Sequence, residues 1–176
     1  MKKFRLLLLD TNVVMELFRQ GIWPQFIDLC DVHLSRTVVE QEAQFYEDDE
    51  GEKHYFDLQQ DVASGKVAVF DVIPSRVQAF ASQFDSTYLE RLDPGEAESL
   101  AYLMGSSDPC LICSSDSIVY RILGNTQKSD RGLSLAEILE QVGLGRQLSL
   151  QFTKEWRERW TKKGFAEKLG GTGRKP

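Results

Sequence analysis

Four acidic residues, Asp10, Glu40, Glu96 and Asp116, stand where an apolar run or a turn hands over to a helical pattern. Asp10 ends the run LLLL of residues 6–9, with Thr11 and Asn12 behind it, and Asp116 follows CLICSS and precedes SIVYRIL. Glu40 lies in LSRTVVEQEAQF, and Glu96 opens a helix in DPGEAESLAYL, where Pro94 and Gly95 set the turn. Singly, each acid has an everyday role, because Asp and Asn cap helix N-termini and a first-turn carboxylate favours the positive end of the helix dipole. In an open α/β sheet, however, ligands bind outside the carboxyl ends of the strands, and these junctions all fall at that edge. Four carboxylates converging from distant segments repel one another unless something cationic neutralises them. Hard divalent cations such as Mg²⁺ or Mn²⁺ do so, binding carboxylate oxygen together with water and substrate phosphate.

The chain offers no other catalytic apparatus. There is no G-x-S-x-G, no Walker glycine loop and no G-x-G-x-x-G, and His33 and His54 are isolated from the acids, in structural or solvent-facing roles. The chemistry that remains is hydrolysis of a phosphodiester by water activated on one or two Mg²⁺ or Mn²⁺ ions. Glu98 competes with Glu96 for the cleft, and the apolar face of Leu100 and Leu103 favours Glu96.

To bring these acids together the chain needs alternating strands and helices. Apolar runs bounded by turn signals predict strands at 4–9, 32–35, 67–73 and 110–114, which reads as an α/β protein with a parallel sheet. Helical periodicity predicts helices at 13–19, 24–30, 37–45, 54–62, 75–84, 95–104 and 117–123. Ser134 begins a further helix, with Glu137 at the capping-box position and Gly143 as its stop. The acidic run YEDDEGEK, residues 46–53, reads as a solvated loop between two helices or as an acidic guard over a nearby site.

The 176 residues suit one domain with a real core, and no apolar stretch approaches the roughly 20 residues that span a bilayer. Three cysteines, two of them in a C-x-x-C without a second ligand pair, fit a reducing cytoplasm better than zinc or disulfides. The net charge of −6 argues against bulk attraction to nucleic acid. Its distribution is uneven: from Lys154 onward eight Lys or Arg face three Glu, giving this tail +5 and residues 1–153 −11. The last few residues, glycine-rich and aperiodic, are expected to be mobile.

The segments LLLLDTNVV, SRTVVEQE, LDPGEAESLAYL and CLICSSDSIV, in this order and spacing, resemble a PIN domain, the nuclease fold of VapC-type toxins and many RNA-processing proteins. The resemblance covers most of residues 4–124 and implies a three-layer α/β/α fold with a central, mostly parallel sheet. It implies residues 1–145 as a nuclease domain, followed by a basic helical extension, 146–176. It implies a ribonuclease with Asp10, Glu40, Glu96 and Asp116 as its acidic cluster, Asp10, Glu96 and Asp116 holding Mg²⁺ or Mn²⁺. Thr11, Asn12 and Ser114 would support the first and last acids, and Arg36, Arg121 and the basic tail would contact RNA phosphates. The family's last short strand has no clear counterpart in GNTQKSDRGLS. A toxin of this kind implies an antitoxin partner, and homodimers are common in the family. Two other classes stay open: a non-catalytic PIN-like scaffold or nucleic-acid-binding module, and a phosphatase of haloacid-dehalogenase type. The latter normally needs a second Asp where Asn12 stands.

Overall fold

Leu7, Leu8 and Leu9 are all fully buried because the strand they form has a hydrophobic core on each face. In the computed structural model, which describes residues 2–176, this first strand is β1 (Phe4–Leu9), followed by α1 (Thr11–Arg19), α2 (Trp23–Leu29) and β2 (Cys30–Ser35). A π-helical turn (Val38–Glu42) leads to the short strands β3 (Phe45–Glu47) and β4 (Lys53–Tyr55), then α3 (Gln59–Ala63), β5 (Val67–Phe70) and α4 (Pro74–Ala81). The remainder is α5 (Pro94–Gly105), β6 (Leu111–Cys113), α6 (Ser117–Asn125), α7 (Leu135–Gln141) and α8 (Lys154–Leu169).

β5, β2, β1 and β6 form a parallel sheet in that order. The period-2 alternation of β1 sends Leu7 and Leu9 into one core and Leu8 into the other. Val13, Val14 and Leu17 of α1, Trp23 and Phe26 of α2, and Ile138 and Leu139 of α7 fill the first core. Phe80 of α4, Leu100 and Leu103 of α5, and Val119 and Ile122 of α6 fill the second. The architecture is therefore mixed α/β with a parallel central sheet, and helices against both faces are compatible with three layers.

Three segments differ from their expected form. The helix expected at 37–45 ends in a π turn at Glu42 and the one expected at 54–62 begins only at Gln59, because a β3–β4 hairpin takes residues 45–47 and 53–55, with Phe45 opposite Tyr55 and Tyr46 opposite His54. Cross-strand contacts outweigh the helical pattern here: the Tyr46 and His54 rings stack at 4.9 Å and Lys53 lies 4.4 Å over the Phe45 ring. The acidic run supplies the turn, where the Asp48 carboxylate accepts the Glu50 and Glu52 N–H groups and Gly51 adopts a φ of 82°. Near Gly132, where no strand was expected, a single parallel bridge joins Ile112 and the Leu133 N–H donates to the Ile112 carbonyl at 3.0 Å.

The basic extension is built into the body of the molecule. α8 crosses α6 at two glycines, Gly124 against the Thr161 carbonyl and Gly164 against the Arg121 carbonyl, so the backbones touch where any Cβ would collide. Half-buried ion pairs, Arg157–Glu137 at 2.7 Å and Arg121–Glu167 at 2.7 Å, flank the crossing. The chain end, expected to be mobile, is tied to residues 83–85, the Gly173 carbonyl accepting from Asp85 N–H and the Lys175 N–H donating to Gln83, both at 2.9 Å. Gly164→Val should therefore lower the unfolding free energy by about 2 kcal/mol or more, read as an earlier urea midpoint, because two helices must separate to admit the side chain.

Candidate functional site

Asp10 is both helix cap and site residue. Its Oδ1 accepts the Val13 N–H at 2.7 Å, as an N-cap should. Its Oδ2 is turned across the sheet edge, where it accepts the Ser114 hydroxyl at 2.5 Å and the Ser115 N–H at 3.0 Å. Ser114, just past the end of β6 and fully buried, also lies 3.2 Å from Glu96 Oε1 through its Oγ, which accepts the Asp116 N–H at 2.9 Å. A hydroxyl carries one proton, so Ser114 cannot donate to both carboxylates. If Asp10 takes it, the Glu96 contact is a hydrogen bond only while Glu96 is protonated and donates.

The electrostatics agree. Burial raises the Asp10 carboxyl above its usual range, against the pull of its bonds to Ser114, Val13 and Ser115. Burial raises Glu96 more, and Asp10 and Asp116 push it further. Asp116 caps α6, accepting the Ile118 N–H at 3.0 Å, and is half-buried.

A second pair of acids adjoins the first. Glu42 accepts the Thr11 hydroxyl at 2.6 Å and the Gly95 N–H at 3.2 Å. Asp93 precedes α5 and donates its N–H to Glu96 Oε2 at 3.2 Å; its carboxyl is raised by burial and then by Glu42 and Asp116. Glu98 accepts the Thr37 hydroxyl at 2.8 Å. Among the described residues, no Lys, Arg or His hydrogen-bonds Asp10, Glu42, Asp93, Glu96 or Asp116. This negative charge without a protein counterion fits a bound cation, and the all-oxygen donor set fits a hard one.

The structure sorts the expected residues. Asp10, Glu96, Asp116 and Ser114 come together. Glu40 does not join them: it is exposed and pairs at 3.0 Å with Arg36, which also grips Asp71 at 2.7 Å. The reason is the π turn, whose Ala43 N–H reaches back to the Val38 carbonyl and so rotates Glu42, not Glu40, toward Thr11 and Gly95. Thr11 supports Glu42 rather than Asp10, and Asn12 is exposed beside the site with no side-chain hydrogen bond among the described residues. Arg121 is occupied by Glu167 and stacks 4.7 Å over the Tyr88 ring, facing α8 instead of a substrate. Arg36 stays on the exposed rim, its guanidinium shared by two acids. Glu42 and Asp93 were not picked out from the sequence; the EQE triplet and the DPGE cap were the available signals.

The loop that carries Ser114 is braced from two sides. The buried Tyr120 hydroxyl lies 2.7 Å from the Ser114 carbonyl and 2.9 Å from that of Leu133, and it accepts the Ser114 N–H at 3.2 Å. Trp156 of α8 donates its indole N–H to the Ser115 carbonyl at 3.0 Å.

Among the described residues, one trio has ligand atoms all within 4.8 Å of one another: Asp48, Glu52 and His54, on the hairpin. The central acids form no trio that tight. His54 already bonds Asp48 at 2.7 Å, which lowers the Asp48 carboxyl, and Asp48 accepts two turn N–H groups, so the trio is accounted for by the turn itself. No helix of the described residues is long and apolar enough to cross a membrane. No protein-family model, curated protein or solved structure matches the chain.

An acid whose folded-state pKa is raised keeps its proton after the unfolded chain has lost it, so stability is greatest below the unfolded value and falls as pH rises toward the folded one. Without divalent cation, the protein should therefore lose thermal stability from mildly acidic to mildly alkaline pH. Glu96→Gln should flatten that slope and raise the alkaline stability by ~1 kcal/mol or more, about 2–4 °C in melting temperature. Calorimetric melting across pH reads both effects.

Proposed function

We propose that this chain is a PIN-like ribonuclease that hydrolyses RNA phosphodiester bonds with Mg²⁺ or Mn²⁺ and water. The observation that carries the reading is the carboxylate cluster of buried Asp10 and Glu96 with half-buried Asp116, and with Glu42 and Asp93 beside it, without a hydrogen bond from any protein cation, at the carboxyl ends of β1 and β6. The motif order that resembles the family supports the same reading. Asp10, Glu96 and Asp116 would hold the cation, and Glu42 takes the place expected of Glu40. When bound, a divalent cation lowers the pKa of the attacking water and offsets the charge that develops on the phosphate.

The chain's own residues do the positioning. Ser114 and the Ser115 N–H fix the Asp10 carboxylate, while Thr11 and the Gly95 N–H fix Glu42. Of the acids, Glu96 is held most strongly toward its protonated form, so loading the site with a cation releases a proton there. Exposed cations of α8, among them Lys154, Arg159, Lys162 and Lys163, lie on the helix of Trp156, whose indole holds Ser115, and would supply contacts to phosphates. A toxin role with an antitoxin over the acidic cleft, a homodimer, and action in a reducing cytoplasm, in keeping with three buried free cysteines, belong to the same proposal.

One observation favours the alternative of a non-catalytic scaffold or binding module: protein donors already satisfy Asp10 on both oxygens. Manganese titration by calorimetry, alongside cleavage of a mixed single-stranded RNA, separates the two. The wild type should bind and cut, and Asp10→Asn should do neither. Glu42→Gln should cut roughly tenfold to a hundredfold more slowly, while Glu40→Gln leaves cutting unchanged. A wild type that neither binds manganese nor cuts RNA would establish the scaffold. Equal losses from Glu40→Gln and Glu42→Gln would contradict the assignment of Glu42.

A further inference from the structure

A cavity of about 510 Å³ opens directly beside the acidic cluster, between α1, the hairpin strand β3 and the turn that precedes α8. Ser115, whose N–H holds Asp10, forms part of its wall, as does Asn12, two residues beyond Asp10. Phe45 and Tyr46 line the hairpin side, and Gln151 and buried Phe152 line the side toward α8. We propose that this cavity seats a single unpaired nucleobase, that of a nucleotide flanking the phosphate at the acidic cluster.

The charge state of the walls selects the ligand. The pocket's cation, Arg19, places Nε and Nη2 on the two Glu16 oxygens, each at 2.8 Å, with Asp49 3.5 Å from its Nη1. Gln20 adds a further donor to Glu16 at 2.8 Å. Arg19 is therefore engaged by Glu16, and both Glu16 oxygens already accept hydrogen bonds. The amides of Asn12 and Gln151 both line the cavity and neither has a side-chain hydrogen bond among the described residues; the Ser115 and Tyr46 hydroxyls and the Glu47 carboxylate are open as well. Each amide offers a donor and an acceptor, the pairing that reads base edges. Phe45 and Tyr46 each have one ring face covered, by Lys53 and by His54, so a flat ring would stack on the other, as in single-strand recognition. A neutral planar ring with donors and acceptors on its edge meets all of these conditions.

The acidic hairpin sets the direction of approach. Glu47 lines the pocket and the turn beyond it is rich in acids, so the sugar-phosphate must leave on the opposite side, toward Lys154 and α8. The place of this seat in a substrate site rests on the ribonuclease reading, whereas base binding itself does not.

The test uses the full chain without metal and the four ribonucleosides as probes, followed by amide NMR shifts. At least one nucleoside should shift the Asn12 and Gln151 side-chain NH₂ signals saturably. Gln151→Ala, on the half-exposed wall, should weaken that binding roughly fivefold or more. Asp10→Asn, with the pocket intact, should still bind. In RNA cleavage, Gln151→Ala should raise KM and leave kcat near wild type, a split that damage to the acidic cluster would not produce. RNA cleavage with no nucleoside shifting these signals would overturn the seat and leave the ribonuclease reading intact. Nucleoside binding without any cleavage would keep the seat and overturn the ribonuclease. If a basic peptide shifts the same signals and nucleosides do not, the groove faces a protein and the proposal fails.

Discussion

One buried hydroxyl, that of Ser114, stands between two carboxylates that have no protein counterion, and its single proton cannot satisfy both. That shortage is the constraint around which the site is organised. Left to themselves, Asp10 and Glu96 would separate toward water. Here the ends of β1 and β6, in register from Leu7 opposite Leu111 to Leu9 opposite Cys113, hold Asp10 and Ser114 side by side. The capping geometry of α5 holds Glu96 against them. Acids held together in this way destabilise the fold, and a bound cation would relieve that cost.

The cluster stays in place because the elements that carry it are braced far from it. Tyr120 reaches from the middle of α6 back to both backbone groups of Ser114, filling a space that solvent would otherwise enter. α6 is in turn clamped by α8 through the glycine crossing at Gly124 and Gly164, and Trp156 of α8 returns a hydrogen bond to Ser115. The basic extension is thus part of the machinery that sets the position of the acidic loop. Its one helix joins structural apolar contacts and salt bridges on its inner face to exposed cations on the outer one.

Much of this was legible before folding was considered. A buried parallel strand must be apolar throughout, so the polar residue that ends it announces itself, and Asp10 and Asp116 could be found in that way. Glu96 was legible from the Pro-Gly turn and its first-turn position. Ser114 was named through the family resemblance, although its role as the shared partner of two acids was not. The hairpin was hidden because PHE-TYR-GLU and LYS-HIS-TYR are too short to show alternation, and what stabilises them is pairing across a turn rather than local propensity.

The amino-acid sequence alone determined the alternation of strands and helices, the edge at which the acids gather and the identity of three of them, because burial and capping are local demands that residue type records. The tertiary structure decided which acid of Glu40-Gln41-Glu42 joins them, since a π turn moves side chains by an angle that no α-helical count anticipates. It decided that Arg121 serves α8 and not a substrate, and that the extension braces the loop at Ser114. It also decided that Asn12 and Gln151, far apart in the chain, line one cavity. Those outcomes depend on contacts between segments far apart in the chain, whose partners are chosen only when the sheet and its helices have closed.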